Sequence, residues 1–185
     1  MLTIYLSDLE LFDESTNTFS VIKGQVITLE HSLVSISKWE MLWKEPFIGK
    51  DDLTSAQIID YIRCMTITQN VNPLLYTGIT QITVDKVKQY MDDPMTATWF
   101  RDDKTKTRST RKITSELVYY WMIESGIPME CQKWHFNRLM TLIQVCNEER
   151  KAADLNNRKK MNPRDLARSR SALNAQRKAQ LHSRG

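Results

Sequence analysis

Thr114-Ser-Glu-Leu-Val-Tyr-Tyr-Trp-Met-Ile-Glu-Ser-Gly-Ile-Pro-Met-Glu-Cys-Gln-Lys-Trp-His-Phe-Asn-Arg-Leu-Met-Thr-Leu-Ile-Gln-Val-Cys-Asn-Glu-Glu-Arg-Lys151 reads as two helices joined by a tight turn. In the first, Thr114 or Ser115 is the N-cap. Leu117, Val118, Trp121, Met122 and Ser125 follow the i, i+3, i+4, i+7 spacing of a buried stripe. Gly126 suits the position just past the helix end, because glycine enters the left-handed region without a Cβ clash. Pro128 suits the first turn of the next helix, where its missing N–H is no loss. The second helix is expected to bury Cys131, Trp134, Leu139, Leu142, Ile143 and Cys146. Truncating Trp134 to Ala should then open a cavity costing about 3–5 kcal/mol. No other region of the 185-residue chain could supply as much core.

Upstream, residues 2–30 look β. Thr3 to Leu6 alternates, and so in part does Val21 to Leu29. Between them a polar cluster separates Phe12 from Phe19, a hairpin signal, and Gly24 marks a second turn. From Ser32 the period changes. Leu33, Ile36, Trp39, Met41 and Trp43 suggest a short amphipathic helix that stops before Pro46. Thr54 and Gln57 form a capping box that opens a helix carrying Ile58, Ile59, Ile62 and Met65, broken between Asn70 and Pro73. Thr80 to Met91 is a further helix. Met95 to Phe100 is β-prone and a candidate to pair with the N-terminal sheet. Arg101 to Lys112 is a polar linker expected to form an exposed loop.

The fold expected is α+β, mainly α. A small N-terminal antiparallel β-hairpin sheet (residues 1–31) packs on a helical core domain (32–153), followed by a basic C-terminal helical arm (154–185). Asn162 and Pro163 resemble a helix start within that arm, and Leu166, Ala172, Leu173 and Ala179 form a thin apolar stripe on it. Such a segment cannot bury itself and either finds a partner or stays solvated.

Composition narrows the function. Five glycines include no phosphate-binding loop of either glycine-rich type. No apolar run approaches the roughly 18 residues needed to span a bilayer, and the first ten residues lack the basic region of a signal peptide. Cys64, Cys131 and Cys146 lie in apolar helical contexts, which fits free buried thiols in a cytoplasm better than a disulfide framework. Charge is asymmetric. Residues 150–185 hold eleven Lys and Arg against Asp154 and Asp165, a net +9, which leaves −5 for the remainder of a chain whose total is +4.

Each candidate chemistry meets a simpler explanation. Cys131 and His135 are four apart, and with Cys64 they could begin a zinc site, but neither Cys146 nor His31 is an obvious fourth ligand. The same Cys–His pair makes a poor nucleophile and base, since no oxyanion donor adjoins it. Asp51–Asp52, Asp92–Asp93 and Asp102–Asp103 all flank turns or helix ends, where Asp serves local backbone donors. No catalytic, metal or cofactor site is therefore expected. Trp39 and Trp43, on a helix with Lys38 and Lys44, are candidates for a contact surface. The arm offers Arg164, Arg168, Arg170, Leu173, Arg177 and Lys178. It could dock on an acidic groove of another copy or another protein, bind nucleic acid through residues 158–185 by counterion release, or act as a solubilising extension. It lacks aromatics for stacking on bases.

Several stretches resemble one family. They are Glu30-His-Ser-Leu-Val-Ser-Ile-Ser-Lys-Trp-Glu40, Asp60-Tyr-Ile-Arg-Cys-Met-Thr-Ile-Thr68, Asp93-Pro-Met-Thr-Ala-Thr98, Tyr119-Tyr-Trp-Met122, Glu130 to Ile143, and Arg170-Ser-Ala-Leu-Asn-Ala-Gln-Arg-Lys178. Together they resemble a family of small structural-module proteins of tailed bacteriophages, over roughly residues 25–185. The resemblance implies a non-enzymatic morphogenesis protein. One form would be a tail assembly chaperone-like binder of other tail components, acting in the infected host's cytoplasm. The other is a stoichiometric virion protein of the tail or head–tail region, its arm docked into neighbouring subunits. Partners would be other phage structural proteins in a homo- or hetero-oligomer, with nucleic acid a third reading and no membrane.

Overall fold

β-prone runs, with branched and aromatic residues on both faces, shape the first thirty residues into a long hairpin. A computed structural model describes residues 1–15, 17–50, 52–100, 112–160 and 163–180. In it β1 (Leu2–Leu6) pairs antiparallel with β4 (Gln25–Leu29), and β2 (Leu9–Asp13) with β3 (Thr18–Ile22). The two ladders share one register, with Ser7 and Asp8 facing Lys23 and Gly24 between them. Gly24 thus marks an interruption of the ladder and not the second turn its composition suggested. The interruption has a local cause. Asp8 Oδ1 accepts the Gly24 N–H at 2.7 Å and the Tyr5 hydroxyl at 3.1 Å. A Cβ on Gly24 would lie 2.3 Å from the Leu6 carbonyl oxygen. Ile4, Leu6, Ile27 and Leu29 bury the proximal half of the hairpin against the helical core, as α+β packing requires.

Helix α1 (Leu33–Trp43) starts from a capping box made by Ser32 and Ser35, and ends at Lys44 in the left-handed conformation. Helix α2 (Ser55–Met65) starts at the Thr54–Gln57 capping box expected from the sequence. After it the chain folds back: Glu30 N–H donates to Met65 O and Ile67 N–H to Thr28 O, each at 2.9 Å, so residues 66–68 edge β4. A 3-10 helix (Pro73–Gly78) lies under β1 and β2, and α3 (Gln81–Asp92) packs against β1. Met95 to Phe100 form no strand. The segment that does edge the N-terminal strands is residues 66–68, beside β4.

Helix α4 (Ser115–Glu124) ends as the sequence suggested. Gly126 has φ +66, its N–H donates to Ile123 O, and Ile127 N–H donates to Met122 O. Val118 and Met122 are buried, while Leu117, Trp121 and Ser125 are only partly so. The second helix of the pair starts later than expected. Met129–Lys133 is a 3-10 turn holding buried Cys131. The chain then extends through Trp134 and His135, and α5 (Phe136–Lys160) follows. Pro128 fixes that outcome, since it caps the 3-10 turn in an extended conformation.

Met1–Ile143 forms one compact unit, which takes in both the hairpin and helices α1 to α4, and Gln144–Gly185 forms a second. Within the second unit α5 runs on to Lys160, and α6 (Pro163–Gln180) is a separate 18-residue helix. Asp51, the expected cap Asn162, Asp102, Asp103 and the rest of the expected linker except Lys112 lie outside the described residues.

Candidate functional site

The surface residues singled out from sequence separate sharply. Trp39 is 0 % exposed. Its indole N–H donates to Gln57 O at 3.0 Å, and its ring meets Phe47 edge-on with centroids 5.1 Å apart. Trp39 is therefore a core residue and not part of a contact surface: with Leu33 and Ile36 it lies on the buried side of α1. Trp43 stacks on Trp39 at 6.1 Å and is half-buried, its indole nitrogen shielded without a hydrogen-bond partner. The aromatic contact face expected there is mostly absorbed by packing. Trp134, expected in the core, is only partly buried and carries the Arg138 guanidinium 4.2 Å above its ring.

The arm residues behave differently. Arg164, Arg168, Arg170, Leu173, Arg177 and Lys178 all lie on α6, and every one is exposed. Arg170, Leu173 and Arg177 are spaced i, i+3, i+7, which places them along one side of the helix.

A polar cluster inside the first unit has no counterpart in the sequence reading. Its centre is His31, between β4 and α1. His31 Nδ1 lies 2.5 Å from the Tyr61 hydroxyl of α2, and the ring meets His135 edge-on with centroids 5.1 Å apart. Burial, then the neighbouring His135, pushes the His31 pKa down to about 3, so the ring is neutral. Burial also drives the Tyr61 phenol well above its ordinary range. A phenol held protonated donates, so His31 Nδ1 accepts. His135 Nε2 faces the Tyr90 carbonyl at 3.0 Å. A carbonyl only accepts, so this nitrogen carries a proton, and the buried His135 Nδ1 has no hydrogen-bond partner.

The cluster reaches further on both sides. Tyr90 donates to Glu30 Oε1 at 2.6 Å, and Glu30 Oε2 lies 3.4 Å from the Met1 ammonium. Phe136 N–H donates to His31 O at 2.7 Å, and Ser32 bridges His135. Residues 30–32 thus join the hairpin, α1, α2, α3 and the start of α5. Chemically the cluster holds protons in place. The rings of His31 and His135 and the phenols of Tyr61 and Tyr90 are all buried. His31 and His135 stand far apart in sequence with no shared spacing, so only the tertiary fold could bring them together.

The remaining candidates are dispersed. Cys131 is buried on its 3-10 turn, and the break at Trp134 removes the helical spacing that would have aimed it with His135. Cys64 is half-buried, and burial raises its thiol pKa. Among the described residues no three His, Cys, Asp or Glu side chains converge as metal ligands. Asp93 Oδ1 accepts the Met95 N–H at 2.8 Å, the local turn role expected of it. Among those residues no helix is long and apolar enough to cross a membrane. No family model, curated protein or solved structure matches the chain.

Proposed function

We propose that this chain is a non-enzymatic bacteriophage morphogenesis protein, a tail assembly chaperone-like binder that holds another tail component through α6. The observation that carries this reading is the exposure of α6. Eighteen residues of basic helix present Arg164, Arg168, Arg170, Arg177 and Lys178 around an exposed Leu173. A lone helix of that length is marginal in water, and packing of an apolar stripe usually completes it. An acidic, partly apolar groove on another protein would supply both the missing contact and the opposite charge. The likeness to tailed-phage structural-module proteins supports the choice of a tail component.

Co-expression of the tagged full chain with each neighbouring tail protein tests this. One tail protein should co-purify with it, and removing residues 163–185 should abolish retention while leaving the melting transition of the first unit unchanged. Mass analysis of purified virions adds a second measure. Abundant peptides from this chain would sink the chaperone reading in favour of a stoichiometric virion subunit.

A further inference from the structure

The distal half of the hairpin has an uncovered apolar face. Phe12 and Phe19 pair across β2 and β3 with ring centroids 4.9 Å apart. Val21 lies two residues from Phe19 and so shares its face, as does Glu10, the cross-strand partner of Val21. Phe12, Phe19 and Val21 are 49 %, 73 % and 55 % exposed. A two-stranded ribbon is marginal on its own, and apolar residues clustered on its open face mark a contact site. The same segment is acidic: Asp8, Glu10, Asp13 and Glu14 stand against Lys23 alone.

The complementary surface is on α6. Leu173 is 53 % exposed, and Arg170 and Arg177 flank it along one side of the helix. Two hairpins meeting face to face would set acid against acid, and two arms would set base against base. Hairpin against arm satisfies both charges and covers both apolar patches.

We infer that α6 of one copy docks on the Phe12–Phe19–Val21 face of a second copy, with Leu173 against the rings and Arg170 and Arg177 beside Glu10 and Glu14. The two surfaces differ, so the contact is head-to-tail, and an open assembly keeps one free hairpin at one end and one free arm at the other until a ring closes. The contact uses the same α6 surface that is proposed above for the tail component, so the two partners would compete for it, but its test needs only this chain.

Sedimentation velocity of the full chain over a range of concentrations tests it. Oligomers should form at ~0.1 M salt and return to monomer at ~1 M, where the screening length falls from about 10 Å to about 3 Å. Phe19→Asp alone, and Arg170→Glu with Arg177→Glu, should each leave monomers with an unchanged melting temperature, because all three positions are exposed. Val21→Asp serves as a second hairpin variant. Mixing a hairpin variant with the arm variant should yield a one-to-one dimer and nothing larger, since only one competent hairpin and one competent arm remain. Monomer at every concentration, assembly that survives either variant, or a mixture that stays monomeric would each overturn the inference.

Discussion

Glu40 caps a helix that begins 75 residues further along the chain: its Oε2 accepts the Ser115 N–H at 2.8 Å. Its other oxygen accepts the Phe47 N–H at 2.9 Å. Thr114, the N-cap by backbone geometry, supplies no side-chain bond to the amides of the first turn. One buried carboxylate at the C-terminal end of α1 therefore closes the loop behind that helix and satisfies the positive end of α4. Glu40→Ala leaves two buried amides without acceptors and should destabilise the first unit by roughly 2–5 kcal/mol. Glu40→Gln, which keeps one acceptor, should cost about half as much. Urea melts of the three proteins check the order, and equal stability of wild type and Glu40→Ala would refute the capping role.

His31 gives stability a pH dependence of known sign. Unfolded, the ring titrates near its ordinary 6.5, whereas folded it titrates at about 3. Between those values the unfolded chain binds a proton that the folded chain refuses. The full stabilisation is present above pH 6.5 and is lost as pH falls toward 3, by up to ~1.4 kcal/mol per unit. Tyr61, His135 and Phe136 face the ring, and none offers it a negative charge. Unfolding free energies measured from about pH 4 to about pH 7 should slope less in His31→Asn than in wild type. Parallel slopes would show that His31 does not carry the effect.

Gly24 tolerates no side chain. The obstacle to a Cβ is the Leu6 carbonyl at 2.3 Å, with the Tyr5 ring behind it. Gly24→Ala should cost on the order of 1–3 kcal/mol through forced backbone movement. Gly49→Ala is the control. It has φ +78 and open space around it, so the strain is conformational only, about 1 kcal/mol. Thermal melts giving the reverse order would contradict this account of the hairpin's interruption.

Trp39 and Trp134 exchange the roles their sequence context suggested. Trp39→Ala should cost about 3–5 kcal/mol through a core cavity. Trp134→Ala should cost only about 1–2 kcal/mol, from partial burial and the Arg138 contact. Tryptophan fluorescence quenching by iodide offers a second measure: Trp134 should be reached and Trp39 should not.

What could be read directly from the chain was local. The capping box at Thr54, the left-handed Gly126 and the Phe12–Phe19 hairpin all depend on neighbours a few residues away, and each formed where its spacing indicated. The misread elements were those decided at long range. Met95 to Phe100 has strand propensity but forms no strand, and residues 66–68 take the place beside β4. Trp134 has the composition of core but sits where a 3-10 turn ends. The Glu40 and His31 contacts join distant segments and leave no periodic trace, so propensity and spacing could not reveal them.

The junction at residues 30–32 also imposes an order on synthesis. Glu30 N–H awaits Met65 O, and His31 O awaits the Phe136 amide. The hairpin, α1 and α2 can therefore leave the ribosome and pair locally, but the first unit closes only after residue 136 has emerged. Until then the side of His31 that meets His135 and Phe136 lacks its cover, and the nascent chain presents an unfinished centre at the tunnel exit.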